Sequence, residues 1–256
     1  MSGSKNGLQS KIKSIAPKAV YIHCYAHQLN LALMSACYSI KCARNYLSII
    51  NKLHDFIEGS AKRHGLFKHI QEERHATTLK HLSDTRWASR FNSFFAIKET
   101  YSSILLFLEI IDDNEKSEIG ATAFGLLTAI KQFDFIFFVH VMCSLFKITT
   151  ILNSALQSKE LHISGAIDIA EITILNLIQM KNTDNFENIF EEVEKIAVEN
   201  NIAFQVRPRG RPKKRARNSN VLAEEELEDD LKQKYNLILI SIIDSFISEI
   251  GNKFNT

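Results

Sequence analysis

Proline and glycine are scarce: three prolines and nine glycines in 256 residues leave few places for the chain to turn. That excludes a turn-rich fold and points to long helices joined by few turns. Charge of one sign is lacking too. The 31 basic residues face 29 acidic ones, a formal net charge of +2, so no global field draws the chain to nucleic acid or membrane and any such signal must be local. The four cysteines, Cys24, Cys37, Cys42 and Cys143, show no framework spacing and read as reduced thiols. Met1 to Lys18 has no apolar core of the kind a signal peptide needs. The most apolar stretch, Phe133 to Ile151, is interrupted by Asp134, His140 and Lys147 and reads as a buried helix, not a membrane span. What is abundant is hydrophobic content, 45%, enough to build a core in one domain or two small ones.

Apolar spacing along the chain is mostly helical. Lys5 to Ile15 forms a short amphipathic helix with Leu8, Ile12 and Ile15 on one side, ended by Pro17. Ala19 to Cys24 is β-branched and aromatic and reads as the one strand. Helices are expected over Leu29 to Ala36, Ala43 to Glu58, Ala61 to Glu73 and Ala88 to Ile111. Asp112-Asp113-Asn114 reads as a turn and Ser117 as the cap of the next helix. Further helices follow over Phe133 to Gln157, from Ser164 through Ile178, over Phe186 to Asn200, and from about Leu231 to Phe254. Phe133, Phe135, Phe137 and Phe138 read as core packing.

Between the last two helices the composition changes. Arg207 to Arg217 holds seven cations in eleven residues, and Glu224 to Asp230 is acidic. The core Pro208-Arg209-Gly210-Arg211-Pro212 resembles an AT-hook. Gly210 has no side chain, so the backbone can lie flat in a narrow A·T minor groove. Arg209 and Arg211 then enter the negative potential concentrated there, while Pro208 and Pro212 keep the strand extended. Lys213, Lys214, Arg215 and Arg217 would sit on phosphates, with strong salt dependence. One hook binds weakly, because an unfolded segment must be ordered as it docks. The run 212–217 also reads as a nuclear import signal. A solvated loop loosely paired with Glu224 to Asp230 stands as the third reading.

Two clusters are specific in combination: His23-Cys24-Tyr25-Ala26-His27-Gln28-Leu29-Asn30-Leu31 and Leu82-Ser83-Asp84-Thr85-Arg86-Trp87. A Cys-x-x-His followed by Leu-Asn-Leu, with Thr-Arg-Trp further on, resembles the middle of hAT-type transposases. The resemblance is closest to the transposon-derived branch of MYM-type zinc-finger and protein-kinase-inhibitor-repressor-like proteins, and it covers almost the whole chain. It implies a mainly α fold: a helical insertion domain attached to a fragment, about one strand, of an RNase H-like α/β fold. The corresponding divisions are 1–30 as the core remnant, 31–204 as the insertion, 205–222 as the basic linker and 223–256 as the acidic run with its helix. In such enzymes three carboxylates hold two metal ions for strand cleavage. The second belongs to an Asp-Gly-Ala segment ending in a Met-Ser-Gly similar to Met1-Ser2-Gly3, and the other two lie further upstream and beyond the insertion. The chain is therefore expected to be an incomplete piece of a longer protein, nuclear, not an enzyme, and without a cofactor. Its partners would be A·T-rich DNA, a nuclear import receptor and other proteins, with no membrane.

The same resemblance assigns Cys24 and His27 to the strand-to-helix junction. It matches Trp87 to a tryptophan that stacks on DNA in active relatives, accompanied by Arg86 and Asp84. An aromatic face can replace lost base stacking with roughly 1–3 kcal/mol per base. A buried anchor between helices is the competing reading for Trp87. Zinc on Cys24, His27, Cys37 and Cys42 competes with a packed thiol and a hydrogen-bonded histidine. His54, His64, His69, His75 and His81 read as solvent-exposed, and Asp112 with Asp113 as structural.

Overall fold

The computed structural model describes the backbone of residues 7–19, 24–73, 87–158, 163–202 and 220–254, and the side chains of these except 73, 87–91, 163–164 and 220–229. Among the described residues there are ten helices and no strand. They are α1 (Leu8–Ile15), α2 (Tyr25–Ser39), α3 (Lys41–Glu58), α4 (Ala61–Glu73), α5 (Trp87–Asn114), α6 (Glu118–Ile130), α7 (Phe133–Leu156), α8 (Ile163–Gln179), α9 (Thr183–Glu199) and α10 (Asn220–Phe254). Of the strand expected over Ala19 to Cys24, residues 20–23 lie outside the described residues. Ala19 follows a turn and Cys24 stands immediately before α2.

Each helix follows from its apolar spacing. α3 buries Ala43, Leu47, Ile50, Leu53 and Ile57, and α9 buries Phe186, Ile189, Phe190, Val193 and Ala197, the three- and four-residue steps that keep side chains on one face. α7 is different, because Phe135, Phe137, Val141, Phe146 and Leu152 are buried around its whole circumference. Among the described residues it is the one helix long and apolar enough to cross a membrane. Here its sides are covered by α5, α8 and α9, with α2, α3 and α6 completing the contacts. α10 packs on α2 and α8, so the last helix closes over the second. Tyr25 stacks on Phe254 with ring centroids 5.7 Å apart, and Ser35 donates to Glu249 at 2.9 Å.

The aromatic content has a focus where α7, α9 and α10 meet. Tyr235 stands 5.0 Å from Phe133 and 4.8 Å from Phe137, centroid to centroid. Its hydroxyl donates to the carboxylate of Asp134 in the first turn of α7. Burial, and then the bond to that carboxylate, raise the Tyr235 phenol well above its ordinary range. Thus Asp134, one of the charged interruptions of the apolar run, has a partner and a reason to be there.

α9 is closed at both ends. The Asn182 side chain accepts from the Asn185 amide at 2.8 Å, satisfying one amide of the first turn. At the other end Asn201 adopts φ 53°, the amide of Ile202 bonds the Ala197 carbonyl at 2.8 Å, and that of Asn201 bonds Val198 at 3.1 Å. This pair of bonds around a left-handed residue ends a helix decisively and turns the chain away from its axis; asparagine tolerates the conformation better than most residues. Asn182→Ala is expected to lower stability by about 1 kcal/mol, read as a reduced urea midpoint. An unchanged midpoint would show that the cap contributes nothing.

Three expectations change. Asp112-Asp113-Asn114 is not a turn but the last turn of α5, with Asn114 Nδ2 donating back to the Ile110 carbonyl at 2.7 Å. α10 begins at Asn220, so the acidic run lies within its first turns, because Glu and Leu favour helix and nothing there breaks it. His54 is largely buried, its side chain 15% exposed and Nδ1 3.6 Å from Asp55. The Ser117 cap matches expectation, its hydroxyl accepting from Ile119 at 3.3 Å.

Candidate functional site

The residues singled out in the sequence fall into two sets. Pro208, Arg209, Gly210, Arg211, Pro212, Lys213, Lys214, Arg215 and Arg217 lie outside the described residues, as do Asp84 and Arg86. Of Trp87 the backbone is described, and it opens α5. Cys24 directly precedes α2 and His27 sits in the first turn; both are exposed. Neither is packed, because the buried face of α2 starts only at Leu29. The buried thiol of this helix is Cys37, with Cys42 half-buried on α3. Among the described residues no three His, Cys, Asp or Glu side chains converge as a metal site would require.

The structure also gathers side chains that the sequence did not connect. α5, α7, α8 and α9 wall a cleft of about 710 Å³. On its α7 side, His140 is 2% exposed and its Nδ1 lies 3.0 Å from Glu192 Oε2 on α9. The same oxygen takes Lys98 Nζ from α5 at 2.7 Å. One carboxylate thus ties three helices together. Beyond it, Cys143 and Lys147 follow His140 along the cleft face of α7.

Electrostatics define what this cluster can do. Burial, reinforced by the charge of Lys98, lowers His140 to about 4, against a weaker opposing pull from Glu192; the imidazole is neutral at physiological pH. Burial alone would raise the Glu192 carboxyl, but the bond and charge of Lys98, and then His140, outweigh it and hold the carboxyl below its ordinary value. Burial pushes the Cys143 thiol up to about 12. A thiol so tuned stays protonated and is a poor nucleophile. The cluster therefore neutralises charge and fastens α5, α7 and α9, and does not activate a reactive group. Lys98 and Glu192 carry no sequence signal, standing 94 residues apart on ordinary helices. His140 does, as a titratable group inside an apolar run.

On the α8 and α9 side the cleft is lined by carboxamides: Asn176 and Gln179 on α8, Asn185 and Asn188 on α9. Asn185 Nδ2 donates to the Gln179 carbonyl at 3.4 Å and joins the two rows at the α8–α9 corner. Phe95 from α5, 43% exposed, faces the same space with Ile148 and Met180. No family model matches the chain, and no solved structure matches it either.

Proposed function

We propose that the chain is a non-catalytic, nuclear, DNA-associated module of a hAT-type transposase-derived protein. Its helical body corresponds to the insertion domain, and the residues ahead of α2 to a fragment of RNase H-like sheet. The observation that carries the DNA contact is the segment 203–219, which holds seven cations and no acid around Pro208-Arg209-Gly210-Arg211-Pro212. Its two ends are anchored on one body. α9 ends in the Asn201 turn, and α10 packs on α2 and α8. A binding segment fixed at both ends to a rigid scaffold loses less freedom on docking than one at a free terminus. Absence of catalysis is supported by the resemblance, which puts the three metal-holding carboxylates outside this sequence, and by the inert tuning of His140 and Cys143.

Titration of the protein with an A·T-rich duplex tests the reading. Replacing Arg209 and Arg211 together by alanine is expected to weaken binding at least about tenfold, since each groove contact contributes on the order of 1–3 kcal/mol. Equal, feeble binding by both proteins would remove the hook and favour the second reading, an interaction scaffold for which Lys213, Lys214, Arg215 and Arg217 serve recognition by an import receptor only. Nuclear accumulation of a fluorescent fusion, lost when those four are replaced, checks the import signal separately.

A further inference from the structure

Exposed apolar side chains on α8, such as Ile172 and Leu175, have nothing to say what covers them. The helix-tying cluster of Lys98, His140 and Glu192 is satisfied within itself. The remaining cleft wall is neither. Asn176 and Gln179 stand one turn apart on α8, and Asn188 stands one turn beyond Asn185 on α9. Among the described residues the side chains of Asn176, Gln179 and Asn188 engage in no hydrogen bond, and all three are exposed. Each carboxamide offers two donors and an acceptor with two lone pairs.

We propose that this cleft binds an extended peptide segment of a partner protein, held by its main chain. A peptide backbone presents N–H and C=O groups in alternation, and a carboxamide can donate to one and accept from the other at once. Two such rows on adjacent helices therefore hold a strand whatever its side chains. The apolar wall of Phe95, Ile148 and Met180 gives those side chains a place to bury. The cleft is open along one side and its volume lies within the range of built ligand sites. Its charges argue against a polyanion. Glu99 and Glu192 line it beside Lys98 and Lys147, and with Lys98 already bound to Glu192 at 2.7 Å the remaining pair of opposite charges suits a peptide of mixed charge. This inference stands apart from the DNA contact, which lies on a different segment.

The test pans the 256-residue protein against dodecamer peptides displayed on phage. A selected peptide is then measured by fluorescence anisotropy on the wild type and on the Asn176→Ala, Asn188→Ala double variant. Alanine raises helix propensity at both positions, so the fold is retained, and circular dichroism verifies it. Loss of two main-chain bonds is expected to weaken the peptide about tenfold or more. Failure to enrich any peptide above an unrelated helical protein would overturn the proposal, and so would equal affinity of the double variant. Displacement of the peptide by oligothymidylate, from protein already carrying Arg209→Ala and Arg211→Ala, would give the cleft to nucleic acid and equally overturn it.

Discussion

Replacing Phe146 by alanine is expected to lower the free energy of unfolding by about 3–5 kcal/mol. The ring sits on α7 with no exposed surface, its centroid 5.1 Å from that of Phe94 on α5. Neither helix can close the gap, because α7 is held on its other sides by α8 and α9. Both the lost transfer energy and the unfilled cavity therefore count. For a body whose total stability is on the order of 5–15 kcal/mol, this removes a large share and can leave the protein partly unfolded at ambient temperature. Urea unfolding followed by circular dichroism would read it as a lower midpoint with unchanged slope. Phe124 on α6, 58% exposed, serves as control, and its alanine variant should stay within about 0.5 kcal/mol of the parent. Equal, small effects at the two positions would contradict the placement of α7 at the centre.

The second large effect is one of pH. His140 is lowered to about 4 in the folded chain, from an ordinary value of 6.5. Above the ordinary value neither state carries the proton, and stability is full. Between the two values the unfolded chain takes up a proton that the folded chain declines, so stability falls as the solution is acidified, and below the folded value the loss is complete. The difference corresponds to roughly 3 kcal/mol. Glu192 acts in a lower window. Its depressed carboxyl contributes stability that is present above the ordinary carboxyl value and lost as pH falls through the folded one. The groups bearing on His140 are Lys98 from α5 and Glu192 from α9. Urea midpoints measured from about pH 7.5 to about pH 5 should fall for the parent, and the slope should flatten in His140→Leu. A His140→Leu profile parallel to the parent's would show that another group governs the acid limb.

How much of this was legible in the sequence differs between helices and site. α3, α4, α7 and α9 announce themselves, since their buried residues recur at helical steps and Ser117 marks the start of α6. The errors lie where a residue's usual preference is overruled by its neighbours. Asp112, Asp113 and Asn114 favour turns, but here they extend α5, because Asn114 can bond back to Ile110 and the following Ser117 provides the next start. The run Glu224 to Asp230 looks like a solvated prefix, yet its glutamates are good helix formers and α10 runs through it. The cleft was not legible at all. His140, Lys98 and Glu192 come from three helices, and no spacing rule connects residues whose meeting depends on how those helices pack. Only the cost of placing an imidazole among phenylalanines hinted that a partner existed.

Ser35 and Glu249, bonded across the α2–α10 contact, are 214 residues apart. During translation the core face of α2, with Leu29, Leu33 and Ala36, emerges early and has no cover until α10 has left the ribosome. At bacterial to eukaryotic elongation speeds of about 5–20 residues per second, that leaves a sticky surface waiting for tens of seconds. The nascent polypeptide is thus a natural client for chaperones that shield such surfaces, and its yield in the cell should depend on them more than its finished stability would suggest.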